Sequence, residues 1–227
     1  MSKWNFYTSK EISPDGWLKR QLQIQADGLS GNLHKIWPDI RDSAWIGGKC
    51  EGWERVPYWL DGFIPLAYLL ENEEMIATVK KYIDAIVSSQ QADGWICPCE
   101  KEKRAKYDTW AIQLICKTLK VYYDCSGDER IPEVIYKVLK NYYELLKNGE
   151  IKLFRWGEYR WFESFISLNF IYEKYKEECE LIYECICWTL DTLSPHDFLN
   201  EDESEKKYNE RIEKLTVLKD RYFDLIK

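Results

Sequence analysis

Residues 58–75, YWLDGFIPLAYLLENEEM, decide the fold, because the same kind of stretch recurs twice downstream. Residues 109–131 read TWAIQLICKTLKVYYDCSGDERI, and residues 160–181 read RWFESFISLNFIYEKYKEECEL. Their tryptophans, Trp59, Trp110 and Trp161, stand 51 residues apart. Each stretch runs from the tryptophan through apolar residues to an aromatic (Tyr68, Tyr122 or Tyr123, Tyr172) and then a polar break. A second striped segment follows each break, at 75–89, 132–147 and 180–193. The apolar spacing is helical: Leu66, Leu69 and Leu70 follow i, i+3, i+4, and Ile76, Val79, Tyr82, Ile83, Ile86 and Val87 form one stripe. Loop formers mark the breaks, among them Ser126-Gly127-Asp128 and Asn148-Gly149, and Pro132 suits a first helical turn. The unit is a helical hairpin whose first helix is the more apolar and hence the more enclosed.

Working outward, residues 14–28 predict a further helix, residues 29–52 a polar, tryptophan-rich loop, and residues 200–227 a charged C-terminal helix after an acidic linker. The expected fold class is all-α, a single domain over 1–227 with hairpins over 10–195. Hairpins of this length stack into an open solenoid or close into an (α/α)6 toroid. With 227 residues, the chain supplies about half of a six-hairpin ring.

Composition narrows the function classes. The net charge of −7, with 32 Lys+Arg against 39 Asp+Glu and no basic stripe, argues against nucleic-acid binding. No apolar stretch reaches the roughly 18 residues that a bilayer span needs. The start, MSKWNFYTSKEISPDGW, lacks an apolar signal core, so a cytoplasmic protein with reduced thiols is expected. The eight cysteines have no zinc spacing: Cys97-Pro-Cys99 is C-x-C, and Cys179, Cys185 and Cys187 do not share a helix face. No phosphate loop or hydrolase motif is present, so neither a metal nor a cofactor is expected. His34 and His196 stand alone and read as surface loop residues.

In a hairpin ring, chemistry sits at the N-terminal ends of the inner helices. Those positions hold Glu54, Arg55, Tyr58 and Asp61, then Lys106, Tyr107, Asp108 and Gln113, then Arg155, Trp156, Glu158, Arg160 and Glu163. Carboxylates, cations and aromatics together are what a sugar site uses, the aromatics for stacking and the acids for the anomeric centre. The candidate catalytic acids are Glu54, Asp61, Asp108, Glu158 and Glu163. The candidate substrate-binding residues are Trp53, Arg55, Tyr58, Trp59, Tyr107, Trp110, Trp156, Arg160 and Trp161. First-turn acids also stabilise a helix through its dipole, by about 0.3–1 kcal/mol each, so each acid has a structural reading beside the chemical one. Pro57 is expected to start its helix and leave Glu54 in the preceding loop, where it can also pair with Arg55. Residues 90–95, QQADGW, read as a stabilising turn that closes the first hairpin.

Several stretches carry a family resemblance. PDGWLKRQLQIQADGLSGNL (14–33), WIGG (45–48), GWERVPYWLDGFIPLAYLLENEEM (52–75), SSQQADGWICP (88–98) and RWGEYRWFESFISLNFIYEKY (155–175) resemble the N-terminal half of the β-L-arabinofuranosidase-type, family 127-like glycoside hydrolases. The resemblance spans roughly residues 10–195 and implies a partial (α/α)6 toroid acting on plant-type or bacterial glycans. It implies Trp53, Glu54, Arg55, Tyr58, Trp59, Asp61 and Gly62 as axis-facing, and Asp93, Gly94 and Trp95 as a turn. The characterised enzymes use a zinc-bound cysteine nucleophile from the half of the ring that follows, and no cysteine here matches it. The zinc–cysteine mechanism is therefore not carried over. Three outcomes stay open: a glycosidase completed by a second half-ring, a non-enzymatic solenoid binding sugar or protein, and a remnant that dimerises through its exposed wall. A uronic-acid-directed enzyme is a variant in which Arg55, Arg155 or Arg160 binds the carboxylate. The expected partners are an oligosaccharide or glycoside and either a second copy or a complementing C-terminal half.

Overall fold

A computed structural model describes residues 7–153 and 155–175; the predicted helices over 180–193 and 200–227, and His196, lie outside the described residues. The described chain is all-helical, with no strand among its residues. The helices are α1 (Gly16–Asp27), α2 (Leu29–Ile36), α3 (Pro38–Arg41), α4 (Arg55–Leu69), α5 (Glu73–Ser88), α6 (Trp110–Ser126), α7 (Ile131–Lys147), α8 (Arg155–Tyr159) and α9 (Ser164–Lys174). None is long and apolar enough to cross a membrane.

Helix starts and stops follow from local chemistry. Asn72 caps α5, its Oδ1 accepting from Met75 N at 3.0 Å, and Glu73 and Glu74 occupy the dipole-favoured first turn. Helix α6 ends where Gly127 adopts the left-handed conformation (φ 72) and donates to Tyr123 O. Pro132 sits in the first turn of α7, where its missing N–H costs nothing. Helix α4 begins at Arg55, two residues ahead of Pro57, so Glu54 is its N-terminal flanking residue rather than a loop residue. Pro57 is accommodated because first-turn amides have no intrahelical partner.

The helices pack as pairs in two layers. Helices α4, α6 and α9 lie side by side, α5 pairs with α4, and α7 pairs with α6 while also touching α9. Helix α6 is the centre of the core: every residue from Thr109 through Cys116 is buried. The first helix is the more enclosed in the α4–α5 pair, whereas α6 and α7 are buried to a similar extent. Helix α7 presents Val134, Ile135, Val138, Leu139, Tyr142 and Leu145 to the core and Glu133, Lys137, Lys140 and Glu144 to solvent.

Two expectations are corrected. Residues 29–52 are not a loop: α2 and α3 occupy 29–36 and 38–41, and a 3-10 turn covers Ala44–Ile46. Leu29, Leu33 and Ile36 carry a helical stripe too short to stand out against the polar residues around them, and Pro38 opens α3. Nor do the three tryptophans mark equivalent positions. Trp59 is the fifth residue of α4, Trp110 is the first of α6, and Trp161 precedes α9. Trp59 therefore stands four positions, about one turn, further into its helix than Trp110 does.

Candidate functional site

Helix α6 is aligned by a carboxylate latch at its N-terminus. Asp108 Oδ1 accepts from Trp110 N at 3.1 Å and from Gly157 N at 3.0 Å, and Oδ2 accepts from Trp156 N at 3.2 Å. One side chain thereby caps α6 and pins α8 against it. Gln113, buried in the next turn, donates from Nε2 to Gly157 O at 3.1 Å and to Tyr142 Oη at 3.2 Å, and Tyr142 donates to Thr109 Oγ1. This close approach is why residue 157 is glycine. A Cβ there would lie 2.7 Å from Thr109 Oγ1 and 3.1 Å from Trp110 N. Gly157→Ala is expected to push α8 off α6 and cost about 1–3 kcal/mol, the usual range for overpacking, read as a lowered chemical-denaturation midpoint.

The latch carries Trp156 and Arg160 over the N-terminal end of α6. The Arg160 guanidinium lies 4.9 Å from the Trp110 ring centre and 5.0 Å from that of Trp156, and it donates to Tyr58 Oη. Tyr58 and Trp110 themselves stand 6.2 Å apart. Trp110 is fully buried as the floor of this group, whereas Tyr58 is 40% and Trp156 49% exposed. Tyr159 and Phe162 extend the exposed aromatic surface.

Two helical turns further along α6, three helices converge on one ammonium. Lys117 Nζ of α6 is 3.0 Å from Asp61 Oδ2 of α4 and 4.0 Å from Glu163 Oε2 at the start of α9. All three side chains are roughly a quarter exposed, so the group opens to solvent without being a free surface ion pair. Sharing one ammonium keeps the two carboxylate oxygens no more than about 7 Å apart.

The structure therefore brings together Tyr58, Asp61, Trp110, Trp156, Arg160 and Glu163, and adds Lys117. Lys117 was findable: it stands seven residues after Trp110 and so on the same face of α6. Glu54 and Arg55 pair loosely at 3.8 Å at the start of the same face of α4, with Arg55 5.6 Å from the Trp37 ring. Glu158 is half-buried on α8. The Trp161 side chain lies outside the described residues.

Four expected site residues have other work. Asp108 spends its carboxylate on three backbone amides, as described. Trp53 donates from Nε1 to Asp108 O at 3.0 Å, tying the segment before α4 to the start of α6. Tyr107 donates to Gly52 O at 2.8 Å and packs edge-on against Trp95. Trp59 faces away from the site, between Phe63 at 4.5 Å, Tyr82 at 4.9 Å and His34 at 5.6 Å, and donates to Ser30 O. It is a core residue because the fifth position of α4 points toward α2 and α5.

His34 is likewise not a loop residue. It belongs to α2, borders a cleft of about 300 Å³ between α2 and the start of α5, and packs on Trp59 and Phe63. Burial, then the neighbouring Lys35 charge, hold its imidazole below the ordinary histidine range. Among the described residues no group of three or more His, Cys, Asp or Glu is placed to hold a metal ion. The described cysteines are free thiols, and burial pushes Cys97 and Cys116 well above the ordinary thiol range, which makes them unreactive.

No protein-family model matches this chain, and no curated protein and no solved structure matches it.

Proposed function

We propose that this is a carbohydrate-directed protein whose glycan-facing surface is the exposed face shared by α4, α6 and the start of α9. The observation that carries the reading is the convergence of Asp61 and Glu163, from different helices, on Lys117 beside the exposed rings of Tyr58 and Trp156. Aromatic faces stack on the C–H surface of a sugar ring, and two neighbouring carboxylates are the groups used for chemistry at an anomeric centre. Pairing of α4 with α5 and of α6 with α7, with α4, α6 and α9 adjacent, supports a partial (α/α)6 toroid resembling the family 127-like glycoside hydrolases. On this reading the chain is an incomplete or split catalytic ring, and hydrolysis requires a complementing half.

The test is direct. Oligosaccharides titrated into the full chain should quench tryptophan fluorescence, and Trp156→Ala should weaken binding about tenfold or more, the loss expected for a stacked aromatic of roughly 1.5 kcal/mol. Its melt should stay close to wild type, because the ring is half-exposed. Absence of quenching by any glycan in the wild type would refute the reading. Where a complementing half restores hydrolysis of an aryl glycoside, Glu163→Gln and Asp61→Asn should each abolish turnover while leaving binding intact.

A second reading, sugar binding without turnover, draws on the same ion pairs. Lys117 engages both carboxylates, so neither is an unpaired acid or nucleophile in the described chain. Product formed by the chain alone would rule out that second reading.

A further inference from the structure

At the aromatic end of this face, two donor side chains have more N–H capacity than acceptors to meet it. Arg160 makes one side-chain hydrogen bond, to the Tyr58 hydroxyl, and forms no ion pair among the described residues. A guanidinium carries five N–H donors in a planar fork, so most of its capacity is unused. Directly beneath it, the Trp110 indole Nε1–H is buried and donates to nothing. An orphaned buried donor costs about 1–3 kcal/mol, and a second donor stacked above it adds no relief. The nearby carboxylates do not serve this end, since Asp61 and Glu163 are engaged by Lys117 and Asp108 by three amides.

We infer that the glycan this face accepts is acidic, and that Arg160 pairs with the carboxylate of a uronate residue whose ring stacks on Trp156. A carboxylate only accepts hydrogen bonds and matches the guanidinium fork in a bidentate pair, whereas a sugar hydroxyl brings a donor as well. The flanking rings fix the plane of the fork, so little rotamer freedom is lost on binding. The inference rests on the carbohydrate reading above and deepens it by naming the substrate class.

Titration of the full chain with a galacturonate trisaccharide, its carboxyl-reduced neutral counterpart and inorganic phosphate separates the two. The uronate should bind about tenfold or more tightly than the neutral sugar, as expected for one charge-assisted bidentate contact. Arg160→Gln should bring the ratio of uronate to neutral-sugar affinity down to about one, with Arg160→Lys intermediate. Should Arg160→Gln misfold, the wild-type comparison of acidic with neutral sugar still decides. Equal affinity for both sugars would overturn the acidic-glycan inference alone. Binding of neither would overturn the carbohydrate reading as well. Phosphate competing as well as the uronate would show a bare anion site and overturn the inference.

Discussion

Trp59→Ala should destabilise the protein by about 3–5 kcal/mol, the range for removing a large aromatic from a packed core, in urea unfolding followed by circular dichroism. Trp59 is only 7% exposed and stacks on Phe63 with an interplanar angle of 23°. Tyr82 meets it edge-on, and Tyr82 in turn donates its hydroxyl to Ile40 O. Removing the indole opens a cavity where α2, α4 and α5 meet, and it leaves Ser30 O without the bond from Nε1. Trp59→Phe should recover a large share of the loss, because it refills most of the volume but not the hydrogen bond. The same measurement separates the two meanings of a tryptophan in this chain. Trp156→Ala should barely move the unfolding midpoint yet weaken sugar binding about tenfold or more, whereas Trp59→Ala should do the reverse at temperatures where it remains folded. A stable Trp59→Ala with weakened glycan binding would return Trp59 to the site.

That contrast shows what the sequence could and could not disclose. Helix existence was legible wherever an apolar stripe ran for three turns or more, as in α5 and α7, since periodicity over that length has no competing explanation. Helices α2 and α3 escaped because one or two turns carry too few apolar positions to form a stripe. The equal spacing of three tryptophans suggested three equivalent side chains, but a shift of four positions within a helix turns a residue by about 400°, or some 40° net, and changes its axial level by about 6 Å. Trp110 lies beneath Arg160, whereas Trp59 packs among α2 and α5. Asp61, Glu163, Tyr58, Trp156 and Arg160, all named from the sequence, are brought near one another by the fold. Asp108 was not separable from them, because an aspartate before a helix is both a capping residue and a candidate acid, and only the position of α8 decides.

Arg104→Ala should cost about 3 kcal/mol, the low end for breaking a buried charge pair, because the remaining partner is itself partly solvated. Arg104 is 4% exposed, yet its guanidinium donates to Asp93 Oδ2 at 2.6 Å and Gln91 Oε1 at 2.6 Å and lies 4.5 Å from the Trp95 ring. These contacts lock the turn predicted from QQADGW. Gln90 extends the lock by donating from Nε2 to Gly94 O at 3.1 Å and to Val134 O of α7 at 3.0 Å. Gly94 is required here twice over: its φ is +98, and a Cβ would lie 2.4 Å from Lys137 O. Removing the guanidinium therefore loosens the connection that seats the first hairpin against the second. Burial alone would raise the Asp93 carboxyl, but the Arg104 hydrogen bond, the Trp95 amide and the Arg104 charge outweigh it and hold it below its ordinary 3.8. A depressed carboxyl contributes stability above its unfolded value and loses it as the pH falls through the folded one. Wild type should thus lose stability as the pH falls below about 4, and Arg104→Ala should show a shallower loss over the same window, since the guanidinium no longer favours the charged form of Asp93. Arg104→Lys restores the charge without the fork, so it should recover part of the acid dependence but not the bond to Gln91. Identical acid-unfolding slopes in wild type and Arg104→Ala would show that Asp93 draws its low value from the Trp95 amide rather than from the guanidinium.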